Sequence, residues 1–505
     1  MDDLVRTVER VRAADTEAAF DRRVAEQADR LRAAIDAGSF DSDGFAVGLE
    51  LECYAVDDAG RLTRLDDSLF ENGEWSREIG LHNLEVNASP QRFDPDGVDA
   101  QSTELAETIA ALRDRLDPET AVVFDGMWTI PPAQGSRAYL GAIDRTEGVT
   151  VAENMPTDPR YCAMDNVLLD AADGEIEIDV PGASHRFPTI LVESLTTSIQ
   201  PHLQIPDAEA FPDYFNAAIR TLGPLLALST NSPFLPGDLY NAVDDPHHLV
   251  SETPHELRIP IFEQTVNPGD HTKACCPSDI ESPTDIVDRV VDDWTCSPFL
   301  QEWGATKTDD ADAVVDDYWE FSHKYGTYWR WIRSIVGGDA IGSGGSLRIE
   351  YRPLPTQPTL ADVLGLHWLT TGLIRGLVAL DHPVCDLDDT EAHASFYAAV
   401  DEGLDAELRW RTADGEPTTD PERIYPDLFA AARRGLGEAG NTDAEADNLL
   451  APMVDRWERR ETPSQWKKAR VREALDDGHS LGQAIAAMQT AYNRHSRAGK
   501  PFAHW

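Results

Sequence analysis

The stretch that decides the fold is Gly48-Leu49-Glu50-Leu51-Glu52-Cys53-Tyr54, in which apolar side chains alternate with two glutamates. Residues two apart on a β-strand share a face, so Glu50 and Glu52 point to one side and their apolar neighbours to the other. Two adjacent carboxylates repel each other unless a cation lies between them. Because hard divalent cations such as Mg²⁺ take oxygen ligands, the pair is a candidate metal site, with an exposed acidic strand face as the alternative.

Three later runs repeat this alternation with complementary residues. Each has the pattern of a strand with an apolar face and a polar face. If the four strands line one concave face, carboxylates and an imidazole there would hold metal ions, and arginines would hold phosphate or carboxylate oxygens. The combination predicts a site for a polyphosphate and metal ions, although each run alone fits an ordinary half-exposed strand. In chain order the polar positions are Glu50/Glu52, Glu85/Asn87, Gln200/His202/Gln204 and Arg348/Glu350/Arg352.

The charge of the chain bears on its surroundings and partners. Its 505 residues include 43 Lys and Arg against 91 Asp and Glu, a formal net charge of −48. Acidic residues occur in every segment, which indicates a folded protein with an acidic surface rather than an acidic tail. Such a surface repels itself at low salt and is screened by concentrated salt, so we infer adaptation to a very salty cytoplasm. Nucleic acid is excluded as a partner because no basic patch is present to neutralise phosphates.

Cysteine spacing and hydropathy indicate the compartment. None of the six cysteines lies in a C-x-x-C pair, which argues against a zinc ribbon or a disulfide framework and indicates reduced thiols. No apolar run approaches the ~20 residues that span a bilayer, and the N-terminus lacks an apolar signal segment. The sequence therefore predicts a soluble, cytoplasmic protein with no membrane partner.

Several common catalytic signatures are missing. The chain has no G-x-x-x-x-G-K-[ST] and no G-x-G-x-x-G that opens a helix, so any nucleotide must be held through metals, arginines and backbone. It also has no G-x-S-x-G elbow and no H-E-x-x-H, which argues against a serine hydrolase and a zinc protease.

Six short motifs follow one another in a distinctive order. They are Gly48-Leu49-Glu50-Leu51-Glu52, His82-Asn83-Leu84-Glu85-Val86-Asn87-Ala88-Ser89-Pro90, Gln200-Pro201-His202-Leu203-Gln204, Asn231-Ser232-Pro233-Phe234, Arg348-Ile349-Glu350-Tyr351-Arg352 and Thr356-Gln357-Pro358-Thr359. In order and spacing they resemble the type 2 glutamate–cysteine ligases, also called carboxylate–amine ligases. The resemblance extends from about residue 45 to about residue 490.

The resemblance implies an α+β fold with a glutamine-synthetase-like curved antiparallel sheet. The concave face of that sheet carries the active site, helices flank it, and a helical region follows. We predict three regions: an N-terminal amphipathic helix over residues 1–40, a catalytic domain over 45–380, and a helical C-terminal region over 381–505 that packs on the catalytic domain. The helical spacing of residues 1–38 breaks near Asp15-Thr16, and residues 236–310 look mostly irregular.

The resemblance also implies roles for individual residues. The matching metal ligands are Glu50, Glu52, Glu78, Glu85, His202 and Glu350, with Glu74 as a competing match for the position of Glu78. The arginines that flank the transferring phosphoryl group match Arg348 and Arg352, and Arg333 matches another arginine upstream. All three are expected to be catalytic. Residues expected to bind substrate or ATP are Gln200, Gln204, Asn87 and Asn231. Cys53 departs from the family pattern and falls on the opposite face of its strand.

The implied reaction is an ATP-dependent ligation. The γ-carboxylate of glutamate would be phosphorylated to γ-glutamyl phosphate, and the amine of cysteine would then displace phosphate. Two or three Mg²⁺ ions, with Mn²⁺ as an alternative, would reconcile an acidic site with an anionic substrate by neutralising the phosphate oxygens. The expected partners are therefore ATP, glutamate and cysteine or another amine. A different amine acceptor, a binding or regulatory protein that kept the fold without turnover, and a homo-oligomer all stay open.

Overall fold

The computed structural model describes residues 2–71, 75–303, 317–342 and 344–505. An antiparallel sheet, curled into a half barrel, lies at its centre. The strands are β1 (Ala46–Asp57), β2 (Ser76–Arg77), β3 (Asn83–Arg92), β4 (Thr120–Val123), β5 (Ile143–Thr146), β6 (Val149–Ala152), β7 (Ile176–Val180), β8 (Ala183–Phe187), β9 (Ile199–Ile205), β10 (Ile332–Gly338), β11 (Gly345–Tyr351), β12 (Trp410–Arg411) and β13 (Pro417–Thr418). The central sheet has the order β10-β11-β9-β1-β3-β2, and β4 pairs with the end of β1.

The four polar-faced runs are all strands of this sheet, and they are neighbours. In the register of β1 with β3, Glu52 lies opposite Glu85. On the other side of β1, Glu50 lies opposite Gln200 of β9. His202 of β9 lies in turn opposite Glu350 of β11. Because facing residues in adjacent strands project to the same side, the register brings the polar positions onto one face and confirms the predicted fold class.

The other face of the sheet forms the main hydrophobic core. Leu51, Cys53 and Ile349 are fully buried there, so Cys53 lies on the face opposite the glutamates, as predicted. Three helices cover this face, α3 (Pro95–Arg115), α6 (Phe211–Ser229) and α11 (Leu360–Ala379). Their apolar residues and those of the strands make one continuous core, which fixes the register and therefore the positions of the polar side chains.

The remaining helices surround this centre. They are α1 (Asp2–Val11), α2 (Ala14–Asp36), α4 (Ser136–Leu140), α5 (Pro159–Ala171), α7 (Pro246–Glu252), α8 (Arg258–Val266), α9 (Asp285–Asp292), α10 (Trp319–Tyr325), α12 (Asp389–Glu402), α13 (Pro421–Glu438), α14 (Asp443–Arg459), α15 (Pro463–Asp476) and α16 (Leu481–Arg497). In the described parts of the chain, no helix combines the length and the apolar character needed to cross a membrane.

The N-terminal segment forms two helices, and the break between them lies at Arg12-Ala13 rather than near Asp15-Thr16. Asp15 lies in the first turn of α2, where an acidic side chain interacts favourably with the helix dipole. It therefore belongs to a helix start, and the predicted break was placed slightly too far along the chain.

Residues 236–310 are less irregular than predicted in the part that is described. They contain α7, α8 and α9, which have seven to nine residues each. Helices this short contain about two turns, too few for apolar spacing to stand out from the surrounding Pro- and Asp-rich sequence. Residues 304–310 of this prediction lie outside the described residues.

The C-terminal helices pack closely on the helices behind the sheet. A Cβ atom at Gly376 of α11 would lie 1.8 Å from the carbonyl oxygen of Ala431 in α13, so the two backbones are in direct contact. Arg456 of α14 is fully buried and donates to Asp362 of α11 at 2.9 Å. The division into residues 1–40, 45–380 and 381–505 remains a prediction.

Candidate active site

The concave face of the sheet holds two groups of three potential metal ligands. In each group the ligand atoms lie within 4.8 Å of one another. We call the first the Glu52 triad (Glu52, Glu78 and Glu85) and the second the His202 triad (Glu50, His202 and Glu350). No other group of this kind occurs in residues 2–71, 75–303, 317–342 and 344–505.

Backbone and side-chain donors fix the carboxylates of the Glu52 triad. The backbone N–H of Ser198 donates to Glu52 Oε2 at 2.7 Å, and Gln200 Nε2 donates to Glu52 Oε1 at 2.9 Å. Asn87 Nδ2 donates to Glu85 Oε1 at 2.8 Å. These contacts follow from the strand register, since Ser198 immediately precedes β9 and Gln200 lies opposite Glu50 of β1. Glu52 and Glu85 are therefore held in one orientation before any ligand binds.

The charges of the Glu52 triad are not compensated by protein groups alone. Burial, followed by the negative charges of Glu50 and Glu52, raises the pKa of Glu85 to about 8. Burial and the neighbouring carboxylates Glu85 and Glu52 also hold the pKa of Glu78 well above its usual range. Carboxylates crowded in this way take up a proton or a cation, and the triad is thus suited to bind a cation.

The His202 triad offers an imidazole nitrogen between two carboxylates. His202 Nε2 is buried, makes no hydrogen bond, and lies 3.1 Å from Glu50 Oε1 and 3.8 Å from Glu350 Oε1. A buried ring nitrogen without a hydrogen-bond partner is costly in a protein interior unless a ligand such as a metal satisfies it.

Two arginines hold Glu350 in place. Arg333 donates to both of its oxygens, at 2.6 and 2.8 Å, and Arg352 donates to Oε2 at 3.0 Å. Burial alone would raise the pKa of Glu350, but the two guanidinium groups outweigh burial and hold that pKa below its usual range. The two arginines therefore favour the ionised form of Glu350.

The concave face opens into two cavities that share Glu50. The Arg348 cavity, about 270 Å³, is lined by Glu50, Asn87, Pro90, His202, Gln204 and Arg348 among others. The Nε atom of Arg348 is buried there without a hydrogen-bond partner. The Arg160 cavity, about 250 Å³, contains the Glu52 triad, Arg333 and Arg352, and on its other side Arg160, Met164, Glu193, Phe262 and Trp329.

The predicted substrate-binding residues separate into two groups. Gln200, Gln204 and Asn87 line these cavities. Asn231 is not among the residues that line either cavity. It is fully buried and donates to the carbonyl of Thr356 and the hydroxyl of Tyr492, both at 2.8 Å. Its motif is the turn that follows α6, and its role in binding remains a prediction.

Sequence reasoning missed cavity residues that lie outside alternating strands. Glu193 belongs to a 3₁₀ turn before β9, and Arg160 and Met164 belong to α5. No periodic pattern marked them, and only their place in the folded chain brings them to the cavity. Glu78 is confirmed as a neighbour of Glu52 and Glu85, whereas the competing Glu74 lies outside the described residues.

The donor atoms of both triads fit a hard divalent cation. Five of the six side chains supply carboxylate oxygens and the sixth an imidazole nitrogen, a donor set that Mg²⁺ or Mn²⁺ accepts and that lacks the thiolates of a structural zinc site. Two further observations also indicate a cation site. His202 Nε2 has no hydrogen-bond partner, and the pKa values of Glu78 and Glu85 are raised; a bound cation would coordinate the first and neutralise the other two.

A half-barrel antiparallel sheet with two such triads and arginines on its concave face is the fold class that the sequence predicted, α+β with a glutamine-synthetase-like sheet. Within this class, the chain belongs to glutamate–cysteine ligase family 2, whose family model matches residues 46–489. A carboxylate–amine ligase, which forms carbon–nitrogen bonds, is therefore the activity supported by family and fold.

Solved structures provide the fold comparison. The chain is similar to the glutamate–cysteine ligase of Francisella tularensis in complex with AMP, with a TM-score of 0.51 and 14% identity over 91% of this chain and 90% of that one. It also matches a bifunctional glutathione synthetase from Pasteurella multocida, with a TM-score of 0.49 and 14% identity over 90% of this chain and 52% of that one. A search of curated proteins finds no significant match.

Proposed function

We propose that the protein joins the γ-carboxylate of glutamate to the amine of cysteine, with ATP as the phosphoryl donor and γ-glutamyl phosphate as the intermediate. The observation that carries the proposal is the presence of both triads and three arginines, Arg333, Arg348 and Arg352, on one concave face. Such a face suits a reaction in which anionic substrates meet on metal ions held by protein carboxylates.

The reaction needs an activated carboxylate, because an amine does not displace oxide from an ordinary carboxylate. A carboxylate oxygen of glutamate attacks the γ-phosphorus of ATP, and ADP leaves. The free amine then attacks the acyl carbon, phosphate leaves, and the amine loses its proton. Bound Mg²⁺ would neutralise the phosphate oxygens and orient them.

The protein's own residues contribute position and charge. Ser198 and Gln200 hold Glu52, and Arg333 and Arg352 hold Glu350, so that the ligand oxygens are in place before substrate binds. Arg348, with a buried Nε atom free of hydrogen bonds, would donate to a phosphate oxygen in the cavity it lines. We assign the metal-binding and phosphoryl-binding roles to these residues as part of the same proposal.

The amine acceptor in this proposal is cysteine. Cysteine follows from the family, and another amine would use the same phosphoryl-transfer chemistry. The test is phosphate release from ATP in molar KCl with Mg²⁺ and glutamate, with amino acids and amines supplied one at a time, and with mass spectrometry of the product. Release that needs both glutamate and cysteine is expected.

A carboxylate variant tests the site in the same assay. Glu52→Gln should abolish release while the protein stays folded, because an amide is a poor ligand for a hard cation. Glu177→Gln makes the same chemical change on the exposed face of β7 and should keep full activity. Release that no amine stimulates would refute the ligase, and an active Glu52→Gln variant would refute the metal assignment.

A further inference from the structure

The Arg160 cavity contains an arginine and a glutamate without partners. Among the described residues, no carboxylate lies within ion-pair distance of the Arg160 guanidinium, and that guanidinium donates no hydrogen bond. The carboxylate of Glu193, in the same cavity, accepts no hydrogen bond and forms no ion pair in those parts of the chain. In a chain with 91 acidic and 43 basic residues, an arginine without a carboxylate partner beside an acidic cavity is unexpected.

The other charged groups of the cavity are the two arginines that hold Glu350 and the carboxylates of the two triads. Arg333 and Arg352 both donate to Glu350. Glu52 accepts from Ser198 and Gln200. Arg160 is thus a cation without a counter-charge, and Glu193 is a buried carboxyl group whose pKa is raised to about 8 by burial and by the negative charge of Glu52. The two side chains form no ion pair with each other.

The backbone leaves space for the Arg160 guanidinium at one position. A Cβ atom at Gly326, in the turn after α10, would lie 2.3 Å from Arg160 Nη2. A larger residue there would displace the guanidinium, so the glycine leaves room for Arg160 in its present position.

Apolar side chains line the rest of the cavity wall. They are Met164, Ile190, Phe262, Val266 and Trp329. The volume, about 250 Å³, lies below the roughly 300–1,000 Å³ of pockets for drug-sized ligands, which suits a small metabolite. Such a lining complements a small molecule that carries one negative group, one positive group and a short side chain.

We propose that Arg160 and Glu193 bind the zwitterion of an α-amino acid substrate, Arg160 its α-carboxylate and Glu193 its α-ammonium group. The inference rests on the proposed function, because two amino acids are substrates there and either of them is a candidate occupant. It makes Arg160 and Glu193 the residues that distinguish amino acids from simple amines and simple carboxylates.

Paired ligands that differ by one charged group test this assignment. Cysteamine is cysteine without the α-carboxylate, 4-aminobutyrate is glutamate without it, and glutarate is glutamate without the ammonium group. Affinities of wild type, Arg160→Ala and Glu193→Gln for these ligands, measured by calorimetry in molar KCl without ATP, need no turnover. They therefore remain informative if the ligase reaction itself is refuted.

The expected result is a loss of discrimination in one substrate pair. Arg160→Ala should weaken the affinity for the amino acid by roughly 10- to 100-fold, the size expected for one charge-assisted contact. The affinity for the analogue that lacks the α-carboxylate should stay unchanged. If the variant loses the preference for cysteine over cysteamine, the occupant of the cavity is the amine acceptor, cysteine. If it loses the preference for glutamate over 4-aminobutyrate, the occupant is glutamate. In turnover the same loss should appear in KM with little change in kcat. Gly326→Ala should show a smaller effect of the same kind, because it displaces the guanidinium without removing it.

Two exposed charges outside the cavity provide the controls. Arg186→Ala and Glu177→Gln remove exposed charges on the β7–β8 hairpin and should bind both members of each pair as the wild type does. The proposal is overturned if the wild type binds amines as tightly as amino acids, or if Arg160→Ala keeps the preference. It is also overturned if Glu193→Gln raises the Mg²⁺ requirement while amino-acid affinity stays the same, since Glu193 would then be a metal ligand.

Discussion

Replacing Lys467 by methionine would remove the charge that neutralises a buried carboxylate where the C-terminal helices meet the sheet. Lys467 of α15 and Asp125 after β4 form an ion pair in which the side chains are 1% and 0% exposed. Lys467 also donates to the carbonyl of Asn231 at 2.7 Å. Gln489 of α16 donates to the second oxygen of Asp125 at 2.7 Å. Two helices are thereby joined to the end of the sheet through a single carboxylate.

The structure sets the size of the effect. Lys467→Met leaves Asp125 buried without a counter-charge, and breaking a buried pair from one side costs about 3–5 kcal/mol of unfolding free energy. Adding Asp125→Asn removes the second charge while keeping an acceptor for Gln489. The double variant should therefore regain most of the loss, because the unpaired charge is the main cost.

Urea unfolding in molar KCl, followed by tryptophan fluorescence and far-UV circular dichroism, measures these differences. Lys500→Met is the matched control, since Lys500 is exposed, and it should stay within about 0.5 kcal/mol of the wild type. The reasoning is refuted if Lys467→Met costs less than about 1 kcal/mol, or if the double variant is less stable than Lys467→Met alone.

Three further predictions concern stability. The unfolding temperature should rise steeply from low salt to molar KCl, because a net charge of −48 repels itself unless it is screened, and a salt-independent value would contradict the inferred adaptation. Burial raises the pKa of Asp165 to about 7, well above its value of ~3.9 in an unfolded chain, so its contribution to stability is complete below about pH 4 and lost as pH rises through 7. The difference in unfolding temperature between wild type and Asp165→Asn should shrink or reverse over this pH range, and a constant difference would contradict the assignment. Gly376→Ala should cost at least about 2 kcal/mol in urea unfolding, whereas Gly437→Ala, where a Cβ meets nothing within 4 Å, should be neutral or stabilising.

The sequence predicted the sheet and most of the concave face because both depend on local alternation. Once Glu50 and Glu52 share a strand face, the apolar residues between them must be buried, and a one-residue slip would expose Leu51 and Cys53. The same constraint on β3, β9 and β11 brings Glu85, His202 and Glu350 to the same side. The order of the motifs that contain these residues then indicated the family.

The remaining features depend on contacts between distant segments. Arg160 and Glu193 come from a helix and a 3₁₀ turn, whose sequences carry no period that points to the sheet. Asn231 matched a motif but does not line either cavity, and its side chain donates to Tyr492 of α16, a contact between segments far apart in the sequence. The break between α1 and α2 depended on a helix start that the apolar spacing alone does not locate.

Transfer of ¹⁸O from glutamate to phosphate tests the central claim most directly. Glutamate labelled with ¹⁸O in the γ-carboxylate is incubated with ATP, Mg²⁺ and cysteine in molar KCl, and the released phosphate is analysed by mass spectrometry. If the carboxylate is activated as an acyl phosphate, each turnover leaves one ¹⁸O atom in the phosphate. Phosphate released without ¹⁸O while the γ-glutamyl product forms would show that the carboxylate is never phosphorylated, and would contradict the account.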